Sequence, residues 1–125
     1  MSAPQTPALQ AVASQLAAAL DEYERDTAAM LESWPDLERY RKVSAQIETI
    51  RSYSSGVPEA RVQWVELLIA HGELVHSLWR VQYGDQAVAS TDVLPVREHH
   101  SSCVAALRQR CQRLARRAAH GPGAP

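Results

Sequence analysis

Histidine and cysteine side chains are the groups of this chain with the clearest potential for chemistry. His71, His100 and Cys103 all fall on predicted core faces of two helices. If those helices pack antiparallel across residues 84–91, His71 and His76 come close to His100 and Cys103 along the helix axes. Imidazole nitrogen and thiolate sulfur are ligands that zinc prefers. The four residues are therefore candidate metal ligands, but we favour the competing interpretation, in which each histidine only hydrogen-bonds a neighbouring helix.

Other chemical signatures in the chain are incomplete. Glu73-Leu74-Val75-His76 matches the Glu-x-x-His element of di-iron carboxylate bundles, but those sites need two copies and two further glutamates. A four-helix bundle with a histidine on its third helix also resembles histidine phosphotransfer domains, which need a lysine shortly after that histidine, and none follows His71. The sequence has no phosphate-binding glycine loop, nucleophile elbow or paired Cys-x-x-Cys. We therefore expect a protein that is not an enzyme and that carries no metal or cofactor.

Charge is distributed unevenly along the chain. Residues 1–40 carry seven acidic side chains against two arginines, whereas residues 97–117 carry six arginines against one glutamate. Clustered guanidinium groups can contact nucleic-acid phosphates or an acidic protein, and the candidate contacts are Arg108, Arg110, Arg113, Arg116 and Arg117. The net charge of −1 and the isoelectric point of about 6.5 argue against nucleic acid as the main partner. We favour charge pairing between the two segments or a solvated basic face.

Two long segments carry the spacing that packs helices against each other. Apolar residues there recur alternately four and three positions apart, which keeps one narrow stripe of a helix facing a partner. In the first segment they are Leu9, Ala13, Leu16, Leu20, Tyr23, Thr27, Met30 and Trp34, and in the second they are Val93, Val96, His100, Cys103, Leu107, Cys111, Leu114 and Ala118. The spacing therefore predicts a helical bundle.

Turn signals divide the chain into four helices. Residues 33–36 include Pro35 and interrupt the first stripe, so a turn is predicted there rather than a kink. We predict an all-α, up-down-up-down four-helix bundle with helices at 7–33, 36–53, 58–83 and 92–119, one domain over residues 7–120, and flexible tails at 1–6 and 121–125. The residues predicted to be buried are Leu16, Leu20, Ile47, Leu68, Val75, Leu107 and Cys111.

Helix 3 is the most apolar of the four. Its apolar side chains cover an arc of roughly 200°, about twice the width that a bundle helix needs. With Leu68 and Val75 placed in the core, the other flank is left for a partner, and the predicted interface consists of Leu67, Leu74, Leu78 and Val81. Gly72 lies in the middle of this helix and is predicted to permit a close crossing with a neighbouring helix. Uncovered apolar surface marks interfaces, so we expect a homodimer or a complex with another protein.

These features favour a small helical protein that works by binding another protein. An adaptor, an export chaperone and a small regulator all fit that description. No apolar run reaches the roughly 18 residues of a membrane span, and the first residues lack a signal-peptide pattern, so we expect a cytoplasmic protein without membrane contact. The alternatives are a regulator that binds nucleic acid through the arginines of helix 4 and a metal-binding bundle.

Overall fold

Four α-helices make up almost all of the part of the chain that the computed structural model describes, residues 5–83 and 93–119. They are α1 (Gln5–Glu32), α2 (Leu37–Ser54), α3 (Arg61–Tyr83) and α4 (Leu94–Ala119), and a 3₁₀ turn (Pro58–Ala60) precedes α3. The predicted all-α bundle is confirmed, and each helix begins and ends within three residues of its predicted bounds. None of these helices is both long enough and apolar enough to cross a membrane.

The predicted tails lie mostly beyond this part of the chain. Residues 1–4 and 120–125 are outside the described residues, so the prediction for them stays a prediction. Gln5 and Thr6 belong to α1, so the helix begins two residues before its predicted start. Pro7 does not stop the helix there, because the first turn of a helix needs no N–H donor from that position.

A turn separates α1 from α2, as predicted. Asp36 is the N-cap of α2, and its carboxylate accepts a hydrogen bond of 3.1 Å from the backbone N–H of Arg39. This bond satisfies one of the N–H groups that a helix start leaves unpaired. Ser33 lies just beyond α1, where its hydroxyl donates to the carbonyl of Ala29 at 2.9 Å. The side chains of the turn thus satisfy backbone groups at the end of one helix and the start of the next.

The helices form an antiparallel bundle that is closely packed on three sides. α1 packs against α2 and α4, and α3 packs against α4, whereas the backbones of α2 and α3 approach each other at few positions. Large side chains bridge α2 and α3 instead. Toward one end the rings of Tyr40 and Trp79 meet edge to face with centroids 5.8 Å apart. Toward the other end the Arg51 guanidinium lies 5.8 Å from the centre of the Trp64 ring. α2 is therefore held mainly by α1.

The heptad stripes of α1 and α4 form the centre of the core, as predicted. Their buried members are Ala13, Leu16, Leu20, Tyr23, Thr27 and Met30 from the first stripe and Val93, His100, Cys103, Leu107, Cys111 and Leu114 from the second. α2 adds Ile47, so five of the seven predicted core residues are confirmed. Complete burial of a large apolar side chain is worth about 1.5–3 kcal/mol. These stripes therefore supply much of the stability of the bundle.

α3 is rotated from its predicted orientation. Leu68 and Val75 are only partly buried, so their prediction as core residues is wrong. The residues that α3 does bury are Trp64, Leu67, Ala70, Leu74 and Leu78. Because α3 is rotated about its own axis, the flank that was predicted to be free faces the core.

The predicted interface on α3 is wrong for the same reason. Leu67, Leu74 and Leu78 are 0%, 1% and 7% exposed, and Val81 is partly buried against the core. These residues follow the alternating spacing of three and four that α1 and α4 also use, so they belong to the inner stripe. Leu67, Leu74 and Leu78 therefore leave no surface for a partner.

Candidate functional site

A buried hydrogen-bonded network links three helices inside the bundle. The hydroxyl of Tyr23 in α1 lies 2.7 Å from Nδ1 of His71 in α3 and 2.7 Å from Nε2 of His100 in α4. All three residues lie on inner heptad stripes, which is why bundle packing brings them together. Tyr23 is fully buried and His100 nearly so. Polar groups in such a place are costly unless each finds a partner, and here they find one another.

Proton positions in the network follow from its geometry. The Tyr23 hydroxyl has one proton to donate and can accept another hydrogen bond, so it donates to one imidazole and accepts from the N–H of the other. Burial lowers the pKa of His71 and lowers the pKa of His100 to about 4, with a smaller contribution from the neighbouring His71 and His99. Burial also raises the pKa of the Tyr23 hydroxyl. The network is therefore uncharged at neutral pH.

The structure assembles only part of the predicted metal site. The two network histidines share the tyrosine hydroxyl, but His76 is exposed on α3. The Sγ atom of Cys103 lies 3.6 Å from Nε2 of His99 instead. Within residues 5–83 and 93–119, no three His, Cys, Asp or Glu side chains are placed to hold a metal ion together. These contacts support the interpretation of the network histidines as hydrogen-bonded core residues.

Both cysteines are buried free thiols. Burial raises the pKa of the Cys111 thiol to about 11. Burial also raises the pKa of Cys103, and the negative charges of Glu66 and Glu73 on α3 add to that increase. Because the thiolate is the reactive form, a thiol with a raised pKa is a poor nucleophile at neutral pH. Neither cysteine is placed for covalent catalysis.

Two of the α4 arginines bind inside the molecule. Nε of Arg108 donates to Asp21 at 2.8 Å, and the same guanidinium also pairs with Glu24. Nε of Arg110 donates to the backbone carbonyl of Glu59 at 3.1 Å. The expected pairing between the acidic and basic segments is therefore confirmed for Arg108.

The other predicted basic contacts lie near the end of α4. Arg113 and Arg116 are exposed, and the side chain of Arg117 lies outside the described residues. Nucleic-acid-binding domains usually carry a basic patch on a chain of high isoelectric point. A pair of exposed arginines on a chain of net charge −1 is a weak version of that pattern.

A line of exposed apolar residues runs along the outer side of α3. Val62, Val65 and Ile69 are 65%, 41% and 56% exposed, and their spacing of three and four residues aligns them on one side of the helix. Gly72 continues that line and is also exposed. We refer to Val62, Val65, Ile69 and Gly72 as the α3 face. The partly buried Leu68 adjoins it.

Gly72 leaves a gap in the side-chain cover of the α3 face. A Cβ atom added to this glycine would have no described atom within 4 Å, so the prediction that Gly72 permits a close crossing inside the bundle is wrong. A glycine in a helix interior costs about 0.5–1 kcal/mol relative to alanine. Packing within the described part of the chain does not explain that cost.

Two glutamates border the α3 face on one side. Glu66 and Glu73 are exposed and seven residues apart, which places them about two turns apart on the same side of the helix. Besides burial, their charges raise the pKa of Cys103 on α4, so they lie on the border of the face nearest to α4. In the described part of the chain neither glutamate forms an ion pair, whereas Asp21 and Glu24 do. Their charges are therefore available to a partner.

A sequence signal for the α3 face does exist. If the spacing of the α1 and α4 stripes is applied to helix 3, the inner stripe becomes Trp64, Leu67, His71, Leu74, Leu78 and Val81. The apolar residues left outside it include Val62, Val65 and Ile69. Leu68 and Val75 compete with this stripe for the inner side of the wide apolar arc. The hydrogen bond of His71 to Tyr23, which favours the stripe, is not visible in the sequence.

Comparison with known proteins identifies no relative from which a function could be inferred. No protein-family model, no curated protein and no solved structure matches this chain.

Proposed function

We propose that this chain is a small non-catalytic helical protein that binds another protein through the α3 face. The observation that carries the proposal is the concentration of apolar surface there. Of the large hydrophobic side chains exposed in the described part of the chain, half lie between Val62 and Ile69. Contiguous exposed apolar surface on a folded protein marks an interface. Adaptors, export chaperones and small regulators use such surfaces, and we propose that this chain does so in the cytoplasm.

Covering the α3 face would supply binding energy. Complete burial of a valine or isoleucine side chain is worth about 1.5–3 kcal/mol, and each of the three is about half exposed, so each adds roughly 1 kcal/mol on complex formation. Together they correspond to roughly a hundredfold in affinity. The α3 face is therefore suited to the centre of an interface, with further contacts from its rim.

The buried polar groups support the non-catalytic part of the proposal. The hydroxyl of Tyr23 occupies one ring nitrogen of each of His71 and His100, so that nitrogen is not available to activate a nucleophile. Burial raises the pKa of the Cys103 and Cys111 thiols, which disfavours nucleophilic catalysis.

A charged substitution on the α3 face tests the proposal. The wild-type chain, Ile69→Glu and Leu37→Glu would each be used to capture proteins from a lysate. Leu37→Glu is the matched control, because Leu37 on α2 is 54% exposed and Ile69 is 56% exposed. We expect proteins that the wild type and Leu37→Glu retain and that Ile69→Glu loses. Both substitutions lie on exposed helix positions, so all three proteins should keep the same circular dichroism spectrum.

Sedimentation of the same three proteins at micromolar concentration separates a partner protein from a second copy of this chain. A dimer that only Ile69→Glu disperses would identify the expected homodimer, formed through the α3 face. If all three proteins are monomers and retain the same lysate proteins, the α3 face is not a binding surface and the proposal is wrong.

A further inference from the structure

We propose that the partner of the α3 face is an amphipathic α-helix whose apolar stripe is bordered by basic residues. This inference rests on the proposed function and adds to it the chemistry of the partner. The shape of the face and the charge along its border carry it.

The shape of the α3 face fits a helix. Val62, Val65 and Ile69 form a ridge along α3, and a second helix packs on such a ridge by placing its own side chains beside it. Gly72 then leaves room for a large side chain of the partner, since no described atom lies within 4 Å of the position that its Cβ would take. A peptide that binds by strand addition would need a strand edge to pair with, and the described residues form no strand.

The charge along the border selects the partner's flanking residues. Glu66 and Glu73 are spaced like the charged flanking positions of a coiled coil, where they meet opposite charges on the partner helix. Arg61 lies at the start of α3 toward the opposite border, and Arg80 lies about two turns beyond Glu73. The border beside Val62 and Ile69 is therefore acidic, and lysine or arginine on the partner complements it.

A second copy of this chain complements the face less well. In an antiparallel pair of α3 helices related by a two-fold axis, each border meets the same border of the other copy. With the axis beside Ile69, Glu66 would meet Glu73 of the other copy, and like charges at such positions repel. The exposed apolar area is also on the order of a few hundred Å², below the roughly 800 Å² per partner of a standard stable interface. A single helix of a partner needs to bury less area than a second copy of the chain. Its flanking residues can also supply the positive charge that complements the glutamates.

Two synthetic helical peptides test the inference directly. Both would be about 20 residues long with the same leucine stripe, one bordered by lysine and the other by glutamate. Binding to the full chain would be followed by fluorescence anisotropy of a dye on the peptide. We expect the lysine-bordered peptide to bind about fivefold more tightly than the glutamate-bordered one at low salt, and the difference to shrink as salt screens the charges.

Variants separate the contributions of charge and apolar contact. The double variant Glu66→Gln/Glu73→Gln should remove the preference between the peptides, whereas Glu38→Gln/Glu98→Gln, at exposed glutamates elsewhere, should keep it. Ile69→Glu should weaken binding of both peptides and Leu37→Glu should not. If both peptides bind equally well and only Ile69→Glu weakens them, the α3 face binds helices without the proposed charge preference. If neither peptide binds, or if the wild type is a dimer that Ile69→Glu disperses, a basic-bordered helix is not the partner.

Discussion

Tyr23 places a hydroxyl at a buried heptad position of α1, between Leu20 and Thr27 along the stripe. In that buried setting an unpaired polar group costs about 1–3 kcal/mol. The hydroxyl avoids this cost because His71 and His100 each lie 2.7 Å from it. The arrangement works only while both imidazoles are neutral, since a charged imidazole would be buried without a counter-charge in the network. The network therefore makes stability depend on pH.

Acid should destabilise this protein over the pH range that lies between the folded and unfolded pKa values of its buried histidines. The pKa of His100 is lowered by burial to about 4, below the value of about 6.5 for a histidine in an unfolded chain. Between these values the unfolded chain binds a proton that the folded chain does not, so the stabilisation is complete above about pH 6.5 and is lost as the pH falls toward 4. We expect His100 alone to lower the free energy of unfolding by about 2 kcal/mol between about pH 7.5 and about pH 5. His71, whose pKa is also lowered by burial, acts in the same direction.

Urea denaturation at the two pH values measures this loss. His76→Ala is the control, because His76 is exposed and outside the network, and it should leave the pH dependence intact. His100→Gln should reduce the dependence. A wild-type free energy of unfolding that stays constant over this range would show that burial does not keep the imidazoles neutral.

Among the helices, regular spacing makes α1 and α4 predictable and leaves α3 ambiguous. α1 has one apolar stripe, so its inner side follows from the sequence. α3 has apolar side chains over an arc of roughly 200°, and the adjacent Leu67 and Leu68 are equally good candidates for one inner position. The choice depends on contacts with residues distant in the sequence, such as the hydrogen bond of His71 to Tyr23. The same ambiguity affects the prediction of the candidate site, because the α3 face is the side of the helix that lies outside the core.

Two leucine substitutions test the orientation of α3. Leu74 is 1% exposed, so Leu74→Ala should lower the free energy of unfolding by about 2–5 kcal/mol, as in other packed cores. Leu68 is only partly buried, so Leu68→Ala should cost about 1 kcal/mol. Both changes alter helix propensity equally, which makes them a matched pair for chemical denaturation. A larger loss at Leu68 would show that α3 has the orientation predicted from the sequence.

Gly72 provides a second test at the same scale. Gly72→Ala should raise the free energy of unfolding by about 0.5–1 kcal/mol, because alanine restricts the unfolded chain and its methyl group meets no described atom within 4 Å. The same variant should bind a partner of the α3 face more weakly, since the methyl group fills the gap beside Ile69. Thermal denaturation measures the first effect and titration with a helical peptide the second. Destabilisation would mean that the glycine is packed against another part of the chain.

Over the whole molecule, the uneven charge of the sequence becomes a contact between its acidic and basic segments. The antiparallel packing of α1 and α4 brings Arg108 to Asp21 and Glu24. The segment charges predict this attraction, but the choice of partners depends on how the two helices align along their axes. Partly exposed ion pairs of this kind contribute about 1 kcal/mol or less each. The packing of the apolar stripes therefore decides the fold, and the charges favour it modestly.

Hydrogen exchange should follow the uneven packing of the bundle. α2 is held mainly by α1, whereas α1 and α4 pack closely along their length. Helices with fewer packing partners open at a lower free energy than the molecule as a whole. We expect amides at the centre of α2, near Val43 and Ile47, to exchange with a lower opening free energy than amides near Leu20 and Leu107. Equal protection of all four helices in native-state exchange would show that the molecule opens only as one unit.

The tyrosine between two histidines also bears on misfolding. Heptad stripes repeat, so a helix that slides by seven residues still presents an apolar stripe to its neighbours. Such a slide moves each residue by about 10 Å along the axis and would part His71 from Tyr23. At about 1–3 kcal/mol for each buried polar group left without a partner, the slipped bundles become rare conformers. The three hydrogen-bonded side chains of this network thus select one alignment of α1, α3 and α4 from the several that the repeat alone would tolerate.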